Sequence, residues 1–362
     1  MYTINEFMER VEKSRGLVCY GIGKRFRLFK KCYEGTIILD KVKFCIDQNK
    51  QLQGTKITFG NQEMGVFSSE KLSELKSRGL ILLVTNLRYE EITPELEKLD
   101  LVHGIDYFCF THLYGMILED KAMRKTIPDD CHITKEAVIP KVIHYCWFGH
   151  NPLPDKYKRW MESWYQYCPD YEIREWNENN YDITKNSYMY EAYQSKKWGF
   201  VPDYARLDII YEHGGIYLDT DVELVQNMDD MLYQKGFAGF EREYYVALGL
   251  GFGAVKGLPI IKNMRDAYND LHFINKDGSL NLVASPEYQT RLLLERGLQP
   301  NGEYQIVDDL VIYPEKMFSG KCPYTRRVKL TAYTKAIHHY DASWTDNVWK
   351  RRNEQFEAEM NS

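Results

Sequence analysis

No CxxC pair and no dense framework joins the eight cysteines, Cys19, Cys32, Cys45, Cys109, Cys131, Cys146, Cys168 and Cys322. That excludes a zinc ribbon or a disulfide scaffold and reads as reduced thiols in a cytoplasmic protein. No run approaches the roughly 18 apolar residues that a membrane span requires. Any membrane role is therefore peripheral, at the inner face, or through a lipid-linked substrate. The opening stretch MYTINEFMERVEKSRG is charged and amphipathic and lacks the apolar core of a secretion signal. A basic excess is lacking too. The 47 Lys and Arg against 52 Asp and Glu give a formal charge of −5, which argues against a nucleic-acid partner held by phosphate contacts. Internal repeats and low-complexity tracts are absent.

What is present fits a soluble α/β protein. The length of 362 residues favours about two domains. Hydrophobic content of 44% beside 27% charged residues is ordinary for a globular chain. The 28 tyrosines and seven tryptophans offer flat rings that suit sugar and base recognition as well as core packing.

Over residues 1–120, short apolar runs alternate with helical patterns. Leu17–Tyr20, Ile37–Leu39, Lys43–Ile46, Ile57–Phe59, Leu80–Val84 and Tyr107–Phe110 read as strands, with a helix at Ser69–Arg78. The pattern indicates a small parallel, Rossmann-like sheet. Gly21-Ile22-Gly23 lacks the third glycine of a dinucleotide fingerprint, since Phe26 stands there. It reads first as a tight strand-to-helix turn, with Asp47 as a lone acidic ribose candidate. A polar stretch around Pro128 marks a connection over 121–138. A second domain, 139–362, opens with the buried strand Ile139-Pro140-Lys141-Val142-Ile143-His144-Tyr145-Cys146-Trp147-Phe148-Gly149.

The chemistry concentrates between Val201 and Asp221. A helical pattern carries Asp203, Arg206 and Ile210 on one face. His213-Gly214-Gly215 ends it, and Ile216-Tyr217-Leu218 is a short strand delivering Asp219-Thr220-Asp221 at its carboxyl end, where ligands bind in open α/β sheets. If the strand stops there, both carboxylates can approach one cation. Oxygen donors of this kind suit Mg2+ or Mn2+ together with substrate phosphates. A divalent ion and an arginine beside it would stabilise a departing diphosphate. Either His338 or His339 could add an imidazole, which favours Mn2+, with His338 preferred. Trp160, Trp164 and Tyr167 read as a packing face. Gly249–Ala254 is a glycine-rich strand open to close approach of an acceptor or simply bulged. Asp308-Asp309 is loop solvation.

This block resembles the DXD-containing sugar-binding region of glycosyltransferase family 32, which includes yeast-type initiating mannosyltransferases and bacterial capsule enzymes. It is also similar to the donor site of the large clostridial glucosylating toxins. The resemblance places Trp147 against the nucleotide base, Asp203 and Arg206 on the transferred sugar, and Asp219 and Asp221 as the DXD pair. Trp176–Asn179 resembles a segment near the nucleotide. Ala284-Ser285-Pro286 departs from the family's pattern at Ser285, where glycine is usual. The segment Ala336–Trp344 is similar to a C-terminal His…Ser-Trp motif.

The resemblance covers about residues 139–345 of the sequence and leaves the first domain unexplained. It implies a GT-A-type α/β domain and retention of anomeric configuration. A UDP-hexose donor is implied, with a saccharide or lipid-linked saccharide acceptor in surface polysaccharide synthesis. Asp219, Asp221, His338 and His339 become the metal candidates, for Mn2+ or Mg2+. Tyr217, Ser343 and Trp344 join the donor-binding set, with Trp344 either over the donor or in the core. A nucleotide-sugar hydrolase and a degenerate sugar-binding protein are the alternatives.

Overall fold

The structure, a computed structural model, describes residues 2–59, 62–86 and 89–341. Ser343 and Trp344 lie outside the described residues. The chain forms two compact units, the first reaching Ile117 and the second starting at Leu118.

In the first unit the strands are β1 (Gly16–Tyr20), β2 (Val42–Ile46), β3 (Lys56–Phe59), β4 (Gln62–Phe67), β5 (Leu80–Val84) and β6 (Tyr107–Cys109), in the order β3-β4-β2-β1-β5-β6. All neighbours pair parallel except the β3–β4 hairpin at the edge. Every residue of β1 and β5 is buried, as expected of central parallel strands covered on both faces. Ile37–Leu39 is not a strand but part of a short helix, Ile37–Asp40. Three apolar residues are too few to impose a period of two, and only Ile38 is buried. Gly21 has φ +96°, and the Asp47 carboxylate accepts hydrogen bonds from the N–H groups of Ile22 and Asn49, both at 2.9 Å. Asp47 therefore braces the glycine turn. The stretch 121–138 begins inside the Phe110–Met123 helix and then lies along the second unit. There the Ile133 and Thr134 N–H groups donate to the Tyr233 carbonyl, each at 2.8 Å.

The second unit contains β7 (Val142–Cys146), β8 (Glu172–Trp176), β9 (Gly215–Tyr217), β10 (Val222–Leu224), β11 (Gly236–Phe240), β12 (Val246–Ala247), β13 (Phe252–Ala254), β14 (Gln305–Val307), β15 (Leu310–Tyr313) and β16 (Ala336–His338). The main sheet runs β14-β15-β11-β13-β9-β7-β8, with β12 on β11, and is mixed. β9 lies between parallel β7 and antiparallel β13. β10 leaves this sheet and pairs antiparallel with β16. The chain thus changes sheets at Leu218–Asp221, and both acids sit at that corner.

The Asp155–Tyr167 helix pins β10 in place. The buried Trp164 donates its indole N–H to the Val222 carbonyl at 2.9 Å, and Leu224 N–H donates to Ser163 Oγ at 2.8 Å. Burying such a ring contributes about 4–6 kcal/mol before entropy is subtracted. Asp308 and Asp309, read as loop solvation, both have positive φ, 46° and 66°. They form the tight turn joining β14 to β15, as Asp does in primed hairpin turns.

Candidate active site

The Pro202–His213 helix begins with proline at its first position, where the missing N–H costs nothing. Asp203 and Arg206 follow one turn apart on the same face, both buried, and they form an ion pair. Arg206 also donates from Nε to the Pro202 carbonyl at 3.1 Å and lies 3.5 Å from Asp219 Oδ2. One guanidinium thus bridges two carboxylates. The Tyr217 hydroxyl donates to Asp219 Oδ1 at 3.0 Å. Tyr217 was expected against the donor, but it is 1% exposed. It acts from behind, orienting Asp219.

Asp221 lies 3.2 Å from Nε2 of His338, which β16 brings opposite Val222. Its other oxygen accepts the Asp341 N–H at 3.0 Å. One ligand atom each from Asp219, Asp221 and His338 fall within 4.8 Å of one another. His338 Nδ1 is buried without a hydrogen-bond partner. Two carboxylates and an imidazole with an orphaned nitrogen fit a divalent cation. His339, the other candidate ligand, faces elsewhere. Its Nε2 meets Glu223 at 2.7 Å and its ring stacks on Trp160 at 4.1 Å. Successive strand residues point to opposite faces, so only one of the two histidines can reach the acids.

Electrostatics separates the acids. Burial pushes Asp203 up to about 6 against the pull of Arg206. Burial likewise raises Asp219, with Arg206 pulling down and Asp221 pushing up. Asp221 is buried too, yet protonated His338 beside it holds it well below the usual carboxylate range. Burial works against the charge on His338, but Asp221 raises it above its ordinary value. Asp221 and His338 thus form an ion pair at this corner.

These groups line one cavity of about 550 Å3, together with Trp147, Ser285 and Pro286. Trp147 donates its indole N–H to the Asn151 carbonyl at 2.6 Å. Trp176, expected near the nucleotide, instead turns into the core and donates to His144 Nδ1 at 3.0 Å.

The family description "glycosyltransferase sugar-binding region containing DXD motif" matches residues 154–238. That segment holds Asp203, Arg206, Asp219 and Asp221. The matched region lies within the second unit and is similar to a glycosyltransferase sugar-binding region. An uncharacterized glycosyltransferase of Acanthamoeba polyphaga mimivirus is 25% identical over 52% of this chain and 78% of its own. The inositol phosphoceramide mannosyltransferase 3 of Schizosaccharomyces pombe is 31% identical over 40% of this chain and 42% of its own, so the chain spans less than half of that relative. Among solved structures, the PaToxG glycosyltransferase aligns with a TM-score of 0.37 and 20% identity, over 51% of this chain and 76% of its own.

The cavity also holds residues that the sequence did not single out: Lys196, Lys197, Trp198 and Glu241. Glu241 follows the fully buried β11. Burial raises it to about 7, with His338 pulling down and Glu243 pushing up. An acid placed directly after a wholly apolar strand was the available signal. Gly249, which also lines the cavity, leaves room for the Asp219 carboxylate, because a Cβ there would stand 2.1 Å from Asp219 Oδ2.

Proposed function

We propose that the chain is a metal-dependent, retaining hexosyltransferase of GT-A type that takes a UDP-hexose donor. It passes the sugar to a saccharide or lipid-linked saccharide in surface polysaccharide synthesis. The observation that carries this reading is the convergence of Asp219, Asp221 and His338 in a cavity that also presents Arg206, Asp203 and Trp147. The fission-yeast relative is named for a lipid acceptor, inositol phosphoceramide.

In this reading Trp147 covers the base and Asp203 accepts hydrogen bonds from the hydroxyls of the transferred sugar. Arg206 faces the diphosphate as negative charge accumulates on it. Asp219, Asp221 and His338 hold Mn2+ or Mg2+, which when bound supplies positive charge to the leaving group. Asp203 is tied to Arg206 and so is a poor nucleophile. The acceptor oxygen attacks the anomeric carbon from the face that the diphosphate leaves. A new C–O bond forms as the old one breaks, and the acceptor's proton passes to the departing phosphate oxygen.

The test is a thermal-shift screen of the full chain with nucleotide sugars, with and without Mn2+. Stabilisation that requires both metal and a UDP-sugar is the expected result. Nucleotide binding indifferent to EDTA would overturn the proposal.

A further inference from the structure

The Ser187–Gln194 helix ends in a reciprocal cap. Lys196 N–H donates to the Tyr193 carbonyl at 2.9 Å, and Lys197 N–H donates to the Ala192 carbonyl at 3.0 Å. This is the Schellman pattern, whose left-handed position glycine usually fills. Here Lys196 fills it with φ +56°. A side chain kept where glycine would be less strained is a reason to look for its use.

Trp198 follows in the same turn. Gly149 has φ +100°, and a Cβ there would stand 2.8 Å from the Trp198 ring. The indole therefore lies flat on bare backbone. The Tyr193 ring meets it edge-on at 4.9 Å. Backed on one side by Gly149, the ring lines the same cavity as the acids, and so do both lysines. The other cations lining the cavity are already engaged: Arg206 with Asp203 and Asp219, and His338 with Asp221. Lys196 and Lys197 form no ion pair among the described residues. A donor diphosphate facing the metal corner and Arg206 leaves this pair of charges unused.

We propose that Lys196, Lys197 and Trp198 form the acceptor subsite, and that the acceptor is an anionic saccharide. Its ring stacks on Trp198, and its carboxylate or phosphate lies between the two ammonium groups. The inference rests on the glycosyltransferase reading above and adds the acceptor's charge. Two sources supply such an anion, a uronic acid and a phosphate-linked sugar.

The experiment loads the full chain with UDP and Mn2+ and titrates three probes by calorimetry: octyl glucoside, octyl glucuronide and an octyl phosphate diester of glucose. At least one anionic probe is expected to bind about tenfold more tightly than the neutral one, and whichever arm wins identifies the source. K196M/K197M should remove that preference while leaving the UDP dissociation constant within about twofold. W198L should weaken all three probes alike, by about tenfold. Equal binding of neutral and anionic probes, or no binding of any, overturns the proposal. A weakened UDP affinity in K196M/K197M also overturns it, by assigning the lysines to the donor. Loss of UDP binding in the unmodified chain would instead count against the glycosyltransferase reading, so the two failures are separable.

Discussion

Replacing Arg206 with methionine tests the buried charge arrangement directly. The guanidinium is 4% exposed and stands between Asp203 and Asp219. Methionine fills similar volume but strands two carboxylates facing each other. Removing one partner of a buried, hydrogen-bonded ion pair costs about 3–5 kcal/mol. For a domain of this size each kcal/mol lowers Tm by about 2–4 °C, so the variant should melt roughly 6–20 °C lower at pH 7.

The pH dependence has a definite sign. Asp203 already has its folded pKa raised by burial, to about 6 from an ordinary value of 3.8. A raised acid contributes stability that is complete below the unfolded pKa and is lost as pH rises through the folded one. Without Arg206 the folded value climbs further, so the loss extends to higher pH. The deficit in Tm should therefore widen from pH 5 to pH 8, as read by differential scanning calorimetry. A deficit under about 2 °C at pH 7, or one that narrows with rising pH, would refute the bridging role.

Other substitutions separate binding from stability. Asp221→Asn should abolish the Mn2+-dependent thermal shift and lower kcat/KM at least about 100-fold, and full activity in that variant, or activity of the unmodified chain undiminished by EDTA, would sink the assignment. Gly249→Ala should weaken Mn2+ by about tenfold or more through the displaced Asp219 carboxylate, seen by titration of the metal-stripped chain. Glu241→Gln addresses an acid that burial keeps protonated below about pH 7. The acid limb of the kcat/KM profile near that pH should disappear in the variant, and an unaltered limb would exclude Glu241 from the reaction.

The acids were legible because the helix, its glycine cap and the strand that deliver Asp203, Arg206, Asp219 and Asp221 are consecutive in sequence. Local periodicity suffices for such a set. His338 could not be separated from His339 by composition, since the choice depends on which face of β16 meets β10, a pairing between distant segments. The sheet order of the second unit escaped for the same reason, because β11 beside β15 and β9 beside β13 are non-local contacts. In the first unit, wholly apolar β1 and β5 announced themselves, while Ile37–Leu39 was too short to fix its period. Lys196 and Trp198 stayed hidden because a lysine in a left-handed cap leaves no signature in sequence.

Because β10 and β16 must zip together before His338 can stand beside Asp221, the third proposed ligand arrives from a strand more than 100 residues after the acids. During synthesis, the DXD corner would wait with only its two carboxylates until that strand emerged and paired. A chain interrupted before Ala336 would keep the Pro202–His213 helix yet lack the imidazole. In the proposed reading, the three ligands meet only once this distant strand has paired with β10.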